Sequence, residues 1–241
     1  MRARTAATLS AMDDGGKAGE EEVMILPAGY SDDARALWDA ATALNRAAAA
    51  VSPQVAGLPP LLFFTDPDRT PRPWETARRL PPGSAVVYRA FGAADAVETG
   101  LRLRTATADR GVKLLVGLDA DLAEAISADG LHLPEREAAQ ALAVRTARPD
   151  WILTAAWHGA QDPWTQGLDA LILSPVFPAG GTSADKPSMG LIEFRRRCLN
   201  AGLPIYALGG IGPDNAASLI GMGACGLAGV GAIKSAFRAD G

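Results

Sequence analysis

The sequence predicts an α/β protein with the fold of a compact (β/α)8 barrel, a TIM barrel, and three observations support this. Eight short runs between residues 61 and 230 are apolar throughout, which is typical of strands buried on both faces of a parallel sheet. Stretches rich in Ala, Leu and Arg, long enough to form helices, separate most of these runs. Eight strands that alternate with helices favour a closed barrel over an open sheet. The predicted strands span residues 61–65, 84–90, 113–117, 130–133, 151–155, 169–174, 204–208 and 224–230.

The predicted barrel domain, residues 58–241, is shorter than the roughly 200 residues or more that this fold usually takes, so its loops must be short. Helices are predicted at 93–110 and 135–147, where Ala and Leu recur between predicted strands. The main alternative is an open, doubly wound sheet. The dinucleotide-binding pattern GxGxxG does not follow the first predicted strand, and this favours the barrel.

Residues 1–57 are predicted to form an N-terminal extension, made of a disordered tail and one short helix. Residues 1–30 are rich in Ala, Gly, Asp and Glu and have little apolar pattern, which predicts that most of them are disordered or tag-like. Ser31 offers an N-cap, and apolar residues recur at helical spacing over 34–50. Prolines and a glycine then break both regular periods over 51–60.

The composition of the 241 residues, 48% hydrophobic and 21% charged, is that of a globular protein with a sizeable core. The formal net charge of -4 gives no electrostatic footprint for nucleic acid. No apolar run reaches the roughly 18 to 20 residues that cross a bilayer, so we expect no membrane partner. Cys198 and Cys225 lie far apart in apolar surroundings, and we expect two buried free thiols in a cytoplasmic protein.

Two glycine-rich loops follow apolar strands late in the chain. The run LILSPVFPAGGTSADKPSMG spans 171–190, and LPIYALGGIGPDN spans 203–215 with Gly209 and Gly210 at the end of its strand. Glycines let a backbone approach an anion, and N–H groups at the start of the next helix point at it. Such turns near the end of a barrel usually hold a phosphate, so we expect a small phosphorylated substrate. The alternative is that these glycines only permit tight turns.

Three stretches resemble the thiamine phosphate synthase family, whose superfamily also contains the thiazole tautomerases. They are ADGLHL (128–133), DALILSPVFP (169–178) and PIYALGGIGPDNAASLIGMGACGLAGVGAI (204–233), and the resemblance extends over residues 61–238. It implies an enzyme that joins an aminopyrimidine diphosphate to a thiazole phosphate, forming thiamine phosphate and releasing diphosphate. It also implies a small homo-oligomer as a plausible assembly.

The resemblance places a phosphate site at the turns after strands seven and eight. Gly231 stands where the family usually has a serine, so one side-chain donor is lost while backbone N–H groups remain. Lys186, four residues past Thr182, either neutralises a diphosphate or is a solvated surface lysine. The substrate-binding residues implied by the resemblance are Ser174, Thr182, Gly209, Gly210, Gly231 and Ala232.

The residues that would bind the substrate's diphosphate match the family pattern less well. Arg89 corresponds to the arginine of an RxK-like pair after strand two, and Phe91 replaces the lysine. An arginine at the carboxyl end of a strand suits diphosphate binding. The family's magnesium ligands correspond to Asp119, with a shift of one residue, and to Glu137 or Glu135. We therefore expect Mg²⁺ as a cofactor, since carboxylate oxygens suit a hard cation; the alternative is that these are solvated charges in first helical turns.

Two histidines follow strands. His158 aligns with the histidine that serves as an acid/base candidate in the tautomerases, and imidazole suits proton transfer near neutral pH. His132, at the end of strand four, is interpreted as structural or as a hydrogen-bonding support for other residues. Trp157 either stacks on a pyrimidine ring or packs in the core or at the rim.

Three functions remain open from the sequence. The first is a transferase of the thiamine phosphate synthase type, with Arg89, His158 and Lys186 as catalytic residues and Asp119 with Glu137 as metal ligands. The second is a metal-independent thiazole tautomerase in which His158 moves the proton. The third is a non-enzymatic protein that binds thiazole phosphate or thiamine phosphate. Dependence on magnesium separates the first function from the other two.

Overall fold

Eight parallel strands close into a barrel in the computed structural model, which describes residues 26–159, 161–180 and 186–238. Each strand pairs with the next, and β1 pairs with β8 with Leu62 opposite Ala228, so the sheet has no free edge. The predicted (β/α)8 barrel is confirmed. The strands are β1 Leu61–Phe64, β2 Ala85–Tyr88, β3 Lys113–Gly117, β4 Gly130–Leu133, β5 Ile152–Trp157, β6 Ala170–Leu173, β7 Ile205–Ala207 and β8 Gly226–Gly229.

Alternate side chains of the strands belong to two different hydrophobic clusters. Leu62 and Phe64 of β1 lie with alternate residues of the other strands inside the barrel. Leu61 and Phe63 belong to the larger cluster between the barrel and its helices. Successive side chains of a strand point to opposite faces, and here both faces are buried. The strands therefore read as continuous apolar runs in the sequence.

Helices cover the outside of the barrel, and several of them are short. The prediction at 93–110 is confirmed as a helix over Ala96–Ala108. The stretch predicted as one helix at 135–147 is divided into a 3-10 helix, Glu135–Gln140, and an α-helix. Between β5 and β6 the described residues contain no helix. The α-helices are α1 Asp32–Ala49, α2 Pro73–Ala77, α3 Ala96–Ala108, α4 Ala120–Ala125, α5 Ala141–Ala147, α6 Gly190–Asn200 and α7 Gly231–Ala236.

Helix α1 packs against the outside of the barrel. Its N-cap is Ser31 as predicted, and the hydroxyl oxygen of Ser31 accepts the N–H of Ala34 at 3.1 Å. The side-chain amide of Asn45 donates to the carbonyl oxygens of Leu58 and Cys225 at 3.2 and 3.1 Å, just before β1 and β8 begin. The buried residues of α1 belong to the outer hydrophobic cluster, so the helix packs along the outside of the barrel, with its C-terminal part near the amino ends of β1 and β8.

Residues 26–30, at the end of the segment predicted to be mostly disordered, are ordered in the structure. Leu26 is buried because it packs into the core, and its carbonyl oxygen accepts a hydrogen bond from Nη1 of Arg35 at 2.6 Å. The ring of Tyr30 packs edge-on against that of Phe237, with 6.0 Å between the centroids. Residues 1–25 lie outside the described residues. The boundary between extension and barrel at residue 57 stays a prediction.

Two aspartates at the amino ends of strands form what we term carboxylate bridges. Oδ2 of Asp129, just before β4, accepts the N–H of Leu114 and a hydrogen bond from Nη1 of Arg104, both at 2.8 Å. Oδ2 of Asp169, just before β6, accepts the N–H of Leu153 at 2.7 Å and an arginine of α5 at 2.6 Å. Burial opposes ionisation of Asp129, but its hydrogen bonds and neighbouring cations outweigh this and lower its pKa. Each aspartate lies just before one strand and binds both the backbone of the preceding strand and an arginine of a helix, so each bridge links two neighbouring strands to a helix.

Both cysteines are free, as predicted, but only one is fully buried. Cys225 is buried and Cys198 is partly exposed. Burial raises the pKa of both thiols, to about 12 for Cys198, so both stay protonated at neutral pH. Within the described part of the chain, no helix has the length and apolarity needed to cross a membrane.

Candidate active site

The candidate residues gather where the strands end. Arg89 directly follows β2, His158 follows β5 and Ser174 follows β6, while Gly231 begins α7 just after β8. In a barrel of parallel strands these carboxyl ends all open on one face, which is the active-site face of barrel enzymes. The fold therefore places the predicted side chains from distant parts of the sequence on a common face.

Arg89 is held in place by the end of β1. Its Nε donates to the carbonyl oxygen of Thr65 at 2.7 Å, and its backbone N–H donates to the hydroxyl of Thr65 at 2.9 Å. Nη2 lies 3.5 Å from Oδ2 of Asp66. The guanidinium carbon is 5.6 Å from the ring centroid of Phe64 and 5.3 Å from that of Phe91. Its orientation is thus fixed by protein contacts alone.

The surroundings of Arg89 disfavour its positive charge. Burial lowers the pKa of Arg89, the carboxylate of Asp66 opposes this, and the positive charge of Arg69 adds to it. An arginine nevertheless stays protonated in a protein. A partly buried cation under these conditions gains from an additional anion, and Arg89 is therefore suited to bind a phosphate or diphosphate group.

His132 is buried inside the barrel mouth. Its Nδ1 lies 3.0 Å from the hydroxyl oxygen of Thr154, and its ring meets that of Phe64 edge-on at 4.9 Å between centroids. Burial lowers the pKa of His132 to about 3, and the charge of Arg89 contributes to the shift. The imidazole is therefore neutral at physiological pH and adds no second positive charge beside Arg89.

Replacing His132 with glutamine is expected to flatten the dependence of stability on pH. The pKa of His132 in the folded protein lies below its value of 6.5 in the unfolded chain. The contribution of His132 to the free energy of unfolding is therefore complete above pH 6.5 and is lost as the pH falls towards the folded pKa. Between pH 6 and pH 4.5 the wild type should lose about 2 kcal/mol that the variant retains. Urea unfolding of both proteins across this range measures the difference, and parallel pH profiles would contradict the buried neutral imidazole.

His158 forms a pair with Glu135 across two neighbouring loops. Nδ1 of His158 lies 2.5 Å from Oε2 of Glu135, and each side chain is between a third and two fifths exposed. The pair joins the segment after β4 to the end of β5. A carboxylate that binds one ring nitrogen fixes the orientation of the imidazole and leaves Nε2 for a proton transfer. The sequence had suggested Glu135 only as an alternative metal ligand.

The two predicted metal ligands each have protein partners. Oδ1 of Asp119 accepts the N–H of Leu122 at 2.9 Å, so this carboxylate is the N-cap of α4. Oε2 of Glu137 accepts from Nε2 of Gln140 at 2.5 Å, and Oε1 lies 3.4 Å from Nε of Arg136. Among the described residues, no group of three or more His, Cys, Asp or Glu side chains could hold a metal ion. A magnesium site here would need oxygen atoms from a substrate as well.

Gly209 and Gly210 lie against the loop that follows β6. Both have positive φ, 100° and 65°. A Cβ at 209 would lie 2.7 Å from Cα of Pro175, which follows Ser174 through a cis peptide bond. A Cβ at 210 would lie 2.8 Å from Cβ of Phe177. Only glycine fits at these two positions, and this steric role exists independently of any ligand.

The turn after β8 has a neighbour that sequence reasoning missed. Gly231 and Ala232 begin α7 and are half-buried. Arg69, from the loop after β1, places Nη2 at 3.0 Å from the position that a Cβ of residue 231 would take. A signal was present in the sequence, because DPDRT directly follows the first predicted strand and so belongs to the same face of the barrel.

For Thr182, Lys186 and Trp157, three further residues singled out in the sequence, the structure describes no side-chain hydrogen bond to the other candidate site residues. Thr182 lies outside the described residues, and Lys186 is exposed. Trp157 is buried in the outer cluster, where its Nε1 donates to the carbonyl oxygen of Gln161 and the guanidinium of Arg197 lies 5.8 Å from its ring centroid. Its ring thus packs on the outside of the barrel, in agreement with the packing alternative.

A closed (β/α)8 barrel with charged side chains fixed at the carboxyl ends of its strands is the architecture of a barrel enzyme. Residues 65–233 match the family model TMP-TENI, thiamine monophosphate synthase. The chain therefore belongs to the thiamine monophosphate synthase family, a family of transferases, and the predicted resemblance is confirmed.

Named relatives support this assignment. The thiamine-phosphate synthase of Moorella thermoacetica is 31% identical over 147 residues, which are 60% of this chain and 70% of that protein. That of Natronomonas pharaonis is 33% identical over 144 residues, 58% of this chain and 67% of the relative. The structure of thiamine phosphate pyrophosphorylase from Pyrococcus furiosus matches with a TM-score of 0.61 at 25% identity and covers 74% of this chain and 91% of that one.

Proposed function

We propose that this chain is a thiamine phosphate synthase. It joins the methylene carbon of an aminopyrimidine diphosphate to the ring nitrogen of a thiazole phosphate, with release of diphosphate. The observation that carries the proposal is the fixed guanidinium of Arg89 at the mouth of a barrel that belongs to this family. A cation oriented before the substrate binds is what a reaction with a departing diphosphate needs.

Arg89 acts on the leaving group. As the bond between carbon and diphosphate oxygen breaks, negative charge grows on the diphosphate and the pyrimidine develops carbocation character. The guanidinium donates to the diphosphate oxygens with its remaining N–H groups, while Nε stays on Thr65. Since Arg89 is already held by Thr65 and Asp66, little reorganisation is needed when the charge develops. Lys186 is the second cation that we assign to the diphosphate.

The thiazole phosphate is assigned to the part of the mouth formed by the ends of β6, β7 and β8. We assign its phosphate to backbone N–H groups at the turns after β7 and β8, and its ring to the loop after β6. This orientation brings the thiazole nitrogen towards the methylene carbon, which the thiazole attacks as the diphosphate leaves. The residues assigned to this half-site are Ser174, Thr182, Gly209, Gly210, Gly231 and Ala232.

Magnesium is part of the proposal. Asp119 and Glu137 are the carboxylates that we assign to it, together with oxygen atoms of the substrate diphosphate. Mg²⁺ commonly binds through one or two carboxylates and a substrate phosphate, which suits a chain whose described residues offer no group of three ligands. When bound, the ion neutralises charge on the leaving diphosphate.

The contact between Glu135 and His158 favours a second candidate, a metal-independent thiazole tautomerase. In that reaction Nε2 of His158 accepts a proton from the thiazole phosphate substrate and returns it at another position of the ring, and Glu135 holds the imidazole. The phosphate half-site would serve this reaction unchanged.

Measuring substrate turnover by the purified protein distinguishes the transferase from the tautomerase and from a binding protein. With both substrates and Mg²⁺, we expect thiamine phosphate to form, and we expect its formation to fall at least tenfold when EDTA removes the metal. No thiamine phosphate, together with isomerisation of the thiazole that is insensitive to EDTA and lost in His158→Asn, would replace the transferase by the tautomerase. Binding of thiazole phosphate without either conversion would make the chain a binding protein.

A further inference from the structure

Arg69 lies over the turn that begins α7. Its Nη2 is 3.0 Å from the position that a Cβ of Gly231 would occupy, so the guanidinium lies directly beside the space that the missing side chain leaves open. Nζ of Lys234, in the same short helix, donates to the carbonyl oxygen of Arg69 at 2.6 Å. The loop after β1 and the segment after β8 are therefore joined at this point.

The backbone of the Arg69 loop is held by its own hydrogen bonds. Oδ1 of Asp66 accepts the N–H of Arg69 at 3.0 Å. The hydroxyl of Thr70, a buried residue, accepts the N–H of Asp66 at 2.7 Å and donates to its carbonyl oxygen at 2.8 Å. The base of the Arg69 side chain is thus fixed, which lowers the entropy lost when its guanidinium binds a ligand.

Two arginines share one carboxylate at this side of the mouth. Asp66 uses Oδ1 for the backbone of Arg69 and faces Nη2 of Arg89 with Oδ2 at 3.5 Å. The charge of Arg69 also lowers the pKa of Arg89, so the two guanidinium groups interact. Two cations and one carboxylate leave a net positive charge between the ends of β1, β2 and β8. Such a place favours an anionic ligand.

We propose that Arg69 binds the phosphate group of the thiazole phosphate substrate, using the space left open by Gly231. The inference rests on the proposed function for the identity of the substrate, and on the placement of Arg69 for its role. A guanidinium that donates two parallel hydrogen bonds to phosphate oxygens adds a side-chain contact to the backbone N–H groups of the turn. Arg69 is then a determinant of specificity for the phosphorylated thiazole.

The test compares Arg69→Gln with Arg72→Gln. Arg72 is a suitable control because it is exposed, lies close in sequence and pairs with Glu75 at 3.0 Å on α2. Isothermal titration with thiazole phosphate should show binding about tenfold weaker in Arg69→Gln and unchanged in Arg72→Gln. The unphosphorylated thiazole alcohol should bind the wild type and Arg69→Gln equally. KM for the pyrimidine diphosphate should stay within about twofold of wild type.

Gly231→Ala supplies an independent variant, because its Cβ would lie 3.0 Å from Nη2 of Arg69 and would force the guanidinium to shift by a few tenths of an ångström. It should weaken binding of thiazole phosphate severalfold in the wild-type background and leave Arg69→Gln without further loss. Equal affinity of wild type and Arg69→Gln for thiazole phosphate would overturn the inference, as would an equal loss for the alcohol. Affinity that depends on Arg69 in a chain that makes no thiamine phosphate would support the inference and overturn the proposed transferase.

Discussion

Arg89→Gln is expected to lower kcat/KM for thiamine phosphate formation by about 100- to 1,000-fold, the effect of removing one preorganised donor from a developing charge. Glutamine keeps a polar side chain of moderate length but loses the positive charge and the planar fork of donors. Most of the loss should fall on kcat, because the contact with the diphosphate is strongest as the bond breaks. Steady-state kinetics with each substrate varied in turn measures both constants.

Two further variants serve as comparisons for Arg89→Gln. Arg89→Lys keeps the positive charge but loses the planar fork of donors and the hydrogen bond from Nε to the carbonyl oxygen of Thr65, so its activity should lie between wild type and Arg89→Gln. Arg102→Gln removes an exposed arginine of α3 that pairs with Glu98 at 2.6 Å, and should keep wild-type kinetics. A wild-type kcat/KM for Arg89→Gln would place the diphosphate elsewhere. An unchanged melting temperature in Arg89→Gln would show that any loss of activity is chemical.

Gly130→Ala is expected to destabilise the barrel by about 3 kcal/mol or more, which lowers Tm by roughly 10 °C. Gly130 begins β4 opposite Ile152 of β5, and an added Cβ would overlap the carbonyl oxygen of Ile152 and lie 2.8 Å from its backbone nitrogen. These are backbone atoms of a paired strand, so they cannot turn aside as a side chain can. Thermal unfolding followed by circular dichroism measures the shift.

Gly57→Ala is the matched control for this substitution. No heavy atom lies within 4 Å of a Cβ at position 57, and its φ is not in the left-handed region, so the change should alter Tm by no more than a degree or two. A small shift for Gly130→Ala, equal to that of the control, would mean that β4 and β5 can separate enough to admit a methyl group.

The barrel could be predicted because its strands are buried on both faces. All eight apolar runs correspond to strands, although β5 extends to Trp157 beyond the predicted end at 155. The ends of helices were less accurate, since 135–140 forms a 3-10 helix. Leu26, the last residue of the short apolar run VMIL (23–26), joins the core from a segment that otherwise has little apolar pattern. These features depend on packing against distant parts of the chain, and local composition carries little information about such packing.

The sequence predicted which face of the barrel carries the site residues, but it did not predict which side chains contact them. Parallel strands end on one face, so Arg89 and His158 were placed correctly at that face. Their partners were not: Thr65 and Glu135 lie 24 and 23 residues away, in loops whose geometry the sequence leaves open. Arg69 was missed for the same reason, since its neighbour Gly231 comes from the last strand of the barrel.

The carboxylate bridges at Asp129 and Asp169 lie at the amino ends of β4 and β6, while Arg89 and His158 lie at the carboxyl ends of their strands. A strand of four residues separates the two ends of the barrel by about 13 Å. Substitutions that far apart act almost independently on stability. Evolution can therefore alter the loops at one end to suit a new substrate while the bridges at the other end go on holding the strands in register.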